Sequence, residues 1–166
     1  MMYTESEGLP FRKILSIDFE YCGADGELPK VVCMVTQDLR SGEVSRYWRD
    51  DLCKMKTPPF ETGEDVALIS YFAPAEVQSM LALGWAINVS VIDLFAEFRC
   101  QTNGNPNVGR KSLVSALHFY GLKQFIPEEK DSMRNLILSG GPWSEAQRSA
   151  ILDYCQQDVI ALGPLL

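Results

Sequence analysis

The chain is poor in the residues that most metal and disulfide sites use. It has one histidine and five cysteines in 166 residues, and no two cysteines form a CxxC pair. An odd number of cysteines without paired spacing excludes a readable disulfide framework or zinc ribbon and favours a reducing compartment. We therefore expect a cytoplasmic protein.

Long apolar runs and an excess of basic residues are also missing. No stretch approaches the roughly 20 apolar residues of a membrane span. The opening MMYTESEGLP lacks the basic and then apolar order of a secretion signal. Lys and Arg number 15 against 22 Asp and Glu, which gives a net charge of −7. This balance argues against a protein that holds nucleic acid by its own charge alone, so a nucleic-acid partner would require bound cations or another domain.

The composition that remains is that of one globular domain. Hydrophobic residues make up 46% of the chain and charged residues 22%. A domain of this size and composition can bury a core without disulfides or a structural metal. We expect a flexible N-terminus over residues 1–10 and one domain over residues 11–166. The apolar ending VIALGPLL favours a domain cut from a longer chain.

The order of the expected elements indicates an α/β fold. Branched and aromatic residues between turn-rich segments predict a β-meander of strands over 12–21, 30–37 and 44–49. Apolar patterning predicts further strands over 65–71 and 89–94, alternating with helices. The predicted helices cover 75–83, 111–120, 127–140 and 145–161. This order is typical of a mixed sheet with helices packed on it.

Two acidic residues interrupt the first predicted strand. Asp18 and Glu20 lie two apart, so they project from the same face of the strand. Burying an unpaired carboxylate costs several kcal/mol, and bound cations would remove that cost. The alternatives are an edge strand with solvated acids, or ion pairs with Arg12 and Lys13.

The last predicted helix carries a tyrosine and an aspartate on one face. A capping box of Ser144 and Gln147 marks the start of this helix. Tyr154 and Asp158 lie four residues apart, one turn from each other, and Asp158 falls on the apolar side. The alternative is a solvated acid beside a core tyrosine.

The SIDFEY and LDYCQQD stretches resemble the first and third motifs of the DnaQ-like (DEDD) 3′–5′ exonuclease domains, and the resemblance covers nearly the whole chain. ILDYCQQDVIAL is similar to the exonuclease domains of family A DNA polymerases from phages and bacteria. The tyrosine subtype has Tyr four residues before its last Asp, where Tyr154 stands. The histidine subtype would have His in place of Asp153, and the single histidine, His118, is expected to be a packing or surface residue.

The resemblance implies a ribonuclease H-like (DnaQ-like) α/β fold, a mixed five-stranded sheet flanked by helices. It implies a metal-dependent 3′–5′ exonuclease that releases nucleoside monophosphates from single-stranded or frayed DNA 3′ ends, as the proofreading domain of a DNA polymerase. A polymerase domain in the same full-length chain would then be its partner. The alternatives are an RNA-trimming enzyme of the ribonuclease D type and a catalytically silent scaffold domain.

The second motif departs from the family pattern, which has Asn and then Asp at the start of a helix that follows a strand. In SYFAPAEVQSML, Phe72 stands at the Asn position and Glu76 at the Asp position. A carboxylate there would also suit the helix dipole without any catalytic role. Asp93, at the end of the next predicted strand, is the rival fourth carboxylate, and we rank Glu76 first.

The resemblance also implies the cofactor and the site residues. Two Mg²⁺ or Mn²⁺ ions, about 3.5 to 4 Å apart, would be held by carboxylates. The implied ligands are Asp18, Glu20, Asp158 and Glu76. Tyr154 would orient the attacking water by its hydroxyl, because a tyrosine with its ordinary pKa of about 10 is a poor base at neutral pH.

Overall fold

A computed structural model describes residues 8–24, 26–122 and 130–166 of the chain. The first seven residues of the expected flexible N-terminus and the expected helix start at Pro127 lie outside these residues. The strands are β1 (Lys13–Cys22), β2 (Lys30–Asp38), β3 (Val44–Trp48), β4 (Gly63–Ser70) and β5 (Val89–Asp93). The helices are α1 (Arg49–Leu52), α2 (Ala73–Ala82), α3 (Leu94–Gln101), α4 (Leu113–Phe119), α5 (Lys130–Leu138) and α6 (Glu145–Leu165).

The five strands form one mixed sheet in the order β3-β2-β1-β4-β5. The first three strands pair antiparallel, which confirms the predicted β-meander. β4 pairs parallel with β1, and β5 parallel with β4. The mixed five-stranded sheet with helices packed on it is therefore confirmed, and β1 lies at its centre.

Alternate residues of β1 contribute to two hydrophobic layers. Ile17 and Phe19 pack in one cluster with Met80 of α2. Ile14 packs on the other face with Leu162 of α6. This period of two follows from the pleat of a strand. β1 consequently meets α2 on one face and α6 on the other.

The structure extends the last predicted helix and adds α1 and α3 to the predicted elements. The sequence patterns do not predict α3, because this helix has only eight residues and directly follows the strand that Asp93 ends. Asp93 both ends β5 and caps α3. α6 continues four residues beyond the predicted end and contains Pro164 in its last turn. Packing of Ala161 and Leu162 in the core outweighs the one hydrogen bond that a proline removes.

No helix among the described residues combines the length and the apolar character that crossing a membrane requires.

Candidate active site

β1 carries Asp18 and Glu20 at the point where its pairing with β4 stops. The last pair of this parallel ladder is Ser16 with Ile69. β2 continues beside β1 past Glu20, where the register shifts at a bulge. Bulges re-aim side chains and recur beside active sites. Because β1 is central, the alternative of an edge strand with solvated acids is wrong.

The basic residues at the start of β1 pair with other acids. Arg12 contacts Asp65 at 2.7 Å and Glu61 at 2.9 Å. Lys13 lies 3.7 Å from Asp38. The alternative in which these two cations neutralise the acids of the first motif is therefore wrong.

α6 runs antiparallel to β1 and brings Tyr154 and Asp158 over the same face. Its start is the predicted capping box, in which Ser144 and Gln147 bond each other's main-chain N–H. Asp158 is buried, with 9% of its surface exposed. The alternative of a solvated acid at the margin of the stripe is therefore wrong.

Cys155 is a contact that sequence reasoning missed. Its Sγ lies 3.2 Å from Asp18 Oδ2 and 3.4 Å from the Asp18 main-chain oxygen. One ligand atom each from Asp18, Glu20 and Cys155 lie within 4.8 Å of one another. In the sequence, Cys155 is one of the apolar positions of the last helix. No local pattern predicts its contact with Asp18.

α2 places Glu76 in the gap left where β4 ends. The main-chain N–H of Phe19 donates to Glu76 Oε2 at 3.0 Å, three residues past the last β1–β4 pair. The carboxylate thus takes the place of a strand partner for β1. Glu76 is only 4% exposed, so it faces the interior beside the first motif.

The five predicted site residues line one cleft of 450 Å³, which we call the carboxylate cleft. Its lining residues are Asp18, Phe19, Glu20, Tyr21, Tyr71, Phe72, Ala75, Glu76, Arg134, Ile137, Leu138, Tyr154 and Asp158. Asp93 is not among them.

Asp93 instead caps α3. Its Oδ1 accepts the main-chain N–H groups of Phe95 at 3.0 Å, Phe72 at 3.2 Å and Ala96 at 3.3 Å. A carboxylate with this role stabilises a helix start. The geometry thus separates the two rivals for the fourth carboxylate, with Glu76 inside the carboxylate cleft and Asp93 outside it.

Burial and mutual repulsion dominate the electrostatics of the cleft. Burial raises the pKa of Glu76 well above its ordinary value, and Asp18, Glu20 and Asp158 raise it further, while the bond from Phe19 lowers it. A bound cation would offset this cost of the charged form. The donor set of carboxylate oxygens suits hard divalent ions such as Mg²⁺ or Mn²⁺. The residues present therefore fit the implied ions.

Tyr154 shares this environment. Burial raises its pKa above the ordinary value, and Asp158 and Glu20 add to the shift. The hydroxyl consequently stays protonated at neutral pH, and it can donate or accept a hydrogen bond without acting as a base.

Phe72 has an uncommon backbone conformation. Its φ of 84° and ψ of 65° lie in the left-handed region, where it is the N-cap of α2. This conformation costs a residue with a Cβ about 1 to 2 kcal/mol. Asn, the residue of the family pattern at this position, tolerates it more readily. The bond from Phe72 N–H to Asp93 helps to hold the strained turn.

Similarity to proteins of known structure is limited to the fold. No family model and no curated protein matches the sequence. A solved structure described as the apo form of the nuclease is similar over 97% of this chain and 73% of its own, with 15% identity and a TM-score of 0.60. The fold is DnaQ-like. Escherichia coli RNase D, described as an exoribonuclease involved in structured RNA processing, matches 95% of this chain with 12% identity and a TM-score of 0.52. This chain spans 39% of that RNase D chain.

Proposed function

We propose that this chain is a metal-dependent 3′–5′ exonuclease of the tyrosine subtype that acts on unpaired nucleic-acid ends. The observation that carries the proposal is the convergence of Asp18, Glu20, Glu76, Tyr154 and Asp158, from three separate elements, on one cleft. Here the acids gather beside one another in a DnaQ-like fold.

Each group in the carboxylate cleft has a chemical task in this proposal. Asp18, Glu20 and Asp158 hold the divalent ions, with Glu76 contributing. Bound ions of this kind lower the pKa of a water molecule and stabilise a leaving oxygen. Tyr154 remains a neutral hydroxyl and orients the attacking water.

Among the described residues, Arg134 is the basic side chain that lines the carboxylate cleft, and it is exposed. Its guanidinium can hydrogen-bond a phosphate oxygen in the fork geometry typical of arginine. We assign it to the phosphate that precedes the scissile bond. Substrate affinity then rests on the ions and on a few cations near the cleft, which agrees with the net charge of −7.

The substrate we propose first is the 3′ end of DNA, with the chain acting as a proofreading domain of a family A DNA polymerase. The support is the similarity of the third motif, around Tyr154 and Asp158, to the exonuclease domains of those polymerases. RNA is the second candidate, because one structure of the same fold is an RNase D. The residues of the carboxylate cleft do not by themselves distinguish deoxyribose from ribose, so the substrate assay must compare DNA with RNA.

The test uses single strands of DNA and RNA with matched sequence, a 5′ fluorophore and a 3′ hydroxyl. With Mg²⁺ we expect a ladder of products shortened from the 3′ end, faster on DNA, and nucleoside monophosphates as the second product. Excess EDTA should stop the reaction, and a fluorophore that blocks the 3′ end should prevent it. Undiminished cleavage in EDTA would contradict the metal-dependent mechanism.

Two other outcomes reassign the chain. Faster cleavage of RNA would replace DNA proofreading by RNA trimming. Absence of cleavage on both strands with Mg²⁺ and with Mn²⁺ would leave the scaffold interpretation, which the altered second motif allows.

A further inference from the structure

A second cleft, of 710 Å³, lies beside the carboxylate cleft. We call it the α3 cleft, because residues 93–108 form most of its wall. Phe72 lines both clefts, and it therefore stands at their junction. The lining residues on which the argument depends are Phe72, Phe95, Arg99 and Lys111.

The Phe72 ring is presented to solvent at this junction. It is 46% exposed, and it meets the Phe95 ring edge-on with centroids 5.3 Å apart. The Tyr71 ring also packs edge-on against the Phe95 ring, with centroids 5.9 Å apart. The left-handed backbone of Phe72 is strained, and strain of this kind clusters at binding and catalytic sites. The turn thus fixes an aromatic face that the core does not use.

Positive charge lines the α3 cleft. The exposed Arg99 guanidinium lies 5.5 Å from the centre of the Phe95 ring. The Lys111 ammonium is held by Thr102 Oγ1 at 2.8 Å. The acid in the wall, Asp93, accepts three main-chain N–H bonds. Aromatic faces beside cations are the combination that binds unpaired nucleic-acid strands.

We propose that the α3 cleft binds the unpaired nucleotides that precede the terminal nucleotide, with one base stacked on the Phe72 ring. The direction of the strand, with its 3′ end in the carboxylate cleft, rests on the proposed function. Arg99 and Lys111 neutralise backbone phosphates. The ligand class is a single-stranded polynucleotide, and Phe72 is the residue that couples the two clefts.

The first test measures how affinity depends on strand length. Fluorescence anisotropy of 5′-labelled oligothymidylates and oligouridylates, in EDTA and at low ionic strength, gives binding without turnover. We expect the hexanucleotide to bind at least about tenfold more tightly than the dinucleotide, because only the longer strand reaches both the Phe72 ring and the cations of the α3 cleft. Equal affinity for the two lengths would overturn the proposal. The two sugars are the arms that separate DNA from RNA.

The second test removes the ring without disturbing the turn. Gly and Asn both accept a left-handed backbone and an N-cap position. We expect Phe72→Gly and Phe72→Asn to weaken hexanucleotide binding by about 5- to 100-fold, the range of one lost base stack, while Phe72→Trp retains affinity. The control is Leu81→Asn, which removes an exposed apolar side chain of α2 that lines neither cleft, and it should bind as the unchanged protein does.

Several results would contradict this role. Unchanged affinity in Phe72→Gly and Phe72→Asn would show that the ring contributes nothing, and an equal loss in Leu81→Asn would show a nonspecific effect. A loss in Phe72→Gly alone would assign the effect to the backbone. Thermal denaturation of each variant checks folding, and the length dependence of the unchanged protein tests the α3 cleft even where a variant unfolds.

Failure of this inference differs from failure of the proposed function. If the protein degrades strands with Mg²⁺ but Phe72→Gly and Phe72→Asn bind them normally, only the inference is wrong. If strands bind through Phe72 but stay intact with Mg²⁺ and Mn²⁺, the proposed function is wrong and the α3 cleft retains its ligand class. If the protein neither binds nor cleaves them, both are wrong.

Discussion

Glu76 is the acid whose role the sequence left open. It touches β1 through the Phe19 N–H, and burial with three neighbouring acids raises its pKa. Gln keeps its size and its acceptor oxygen for Phe19 but cannot contribute a negative charge to a cation. Of the two candidates, Glu76 is therefore the one whose charge a bound ion would compensate.

We expect Glu76→Gln to raise the Mg²⁺ concentration for half-maximal turnover and to lower the maximal rate far more than Asp93→Asn does. The Asn side chain still accepts N–H bonds as an N-cap, so Asp93→Asn should retain the α3 start. Mg²⁺ titrations of the two variants measure the difference. A greater loss in the Asp93 variant would give the role to Asp93.

Asp158 is the buried acid of α6, and Asp153 is its matched control on the same helix. We expect Asp158→Asn to lower the rate by several orders of magnitude, because it removes a ligand of the proposed ions. Asp153 is exposed and pairs with Arg46 at 2.8 Å, so Asp153→Asn should keep its rate. Single-turnover cleavage and thermal denaturation distinguish lost chemistry from lost fold. A folded Asp158→Asn with near-normal activity would contradict the site assignment.

The Tyr154 hydroxyl has a positioning role in the proposed chemistry. Tyr154→Phe retains the ring and its packing, so we expect a loss of about 10- to 1000-fold in turnover with little change in stability. The matched control is Tyr47→Phe, a half-buried tyrosine on β3 outside the carboxylate cleft. Steady-state rates with saturating Mg²⁺ measure both. Unchanged turnover in Tyr154→Phe would make the tyrosine structural.

At the scale of elements, α6 carries two of the five residues assigned to the site. It delivers Tyr154, Cys155 and Asp158 over β1, and its last turns pack in the core through Leu162. A shift of this helix along β1 would move all three side chains together. The capping box at Ser144 sets where the helix begins.

We expect Ser144→Ala to lower the free energy of unfolding by about 0.5 to 2 kcal/mol, the usual effect of losing an N-cap side chain. The side chain accepts the Gln147 N–H at 3.3 Å, and Ala leaves that donor to water. Ser149→Ala, at an exposed position of the same helix, is the control and should change stability little. Urea denaturation measures both. Equal stability of the two variants would mean that the cap contributes nothing.

The loop between β4 and α2 connects two elements with different tasks. Because β4 ends at Ser70, β1 has room there for the Glu76 carboxylate instead of a strand partner. The turn through Phe72 sets the direction in which α2 leaves the sheet. The end of β4 at Ser70 therefore determines where the Glu76 carboxylate can lie beside β1.

At the scale of the whole molecule, an acidic chain concentrates acids in one cleft. The net charge is −7, and four carboxylates line the carboxylate cleft. Their mutual repulsion weakens the folded state when no cation is bound. Divalent ions that bind only the folded chain would stabilise it by mass action.

We expect Mg²⁺ at ten times its dissociation constant to add about 1.4 kcal/mol of stability, which is a rise of about 3 to 6 °C in Tm. Asp158→Asn should show a smaller rise over the same titration. Differential scanning fluorimetry in metal-free buffer measures the shift, with KCl at equal ionic strength as the control for screening. Equal shifts with Mg²⁺ and KCl would indicate screening and not a site.

Local patterns predicted most of the elements and the candidate residues. Branched, aromatic and apolar residues between turn signals marked the five strands, and the capping box marked α6. Spacings of two and four paired Asp18 with Glu20 and Tyr154 with Asp158. These signals are local, because strand and helix periods act over a few residues. These patterns do not predict α3, because a helix of eight residues is too short for its period to stand out and depends on packing for stability.

The amino-acid sequence by itself determined the order of the five strands, the two motif pairs and the acidic balance, because each depends on neighbours along the chain. Only the tertiary structure decided that β1 is central, that Glu76 and not Asp93 lines the carboxylate cleft, and that Cys155 touches Asp18. These contacts join residues 57 and 137 positions apart, as Phe19–Glu76 and Asp18–Cys155 show. Distances between such residues follow from how the sheet and helices pack, and no local pattern encodes that packing.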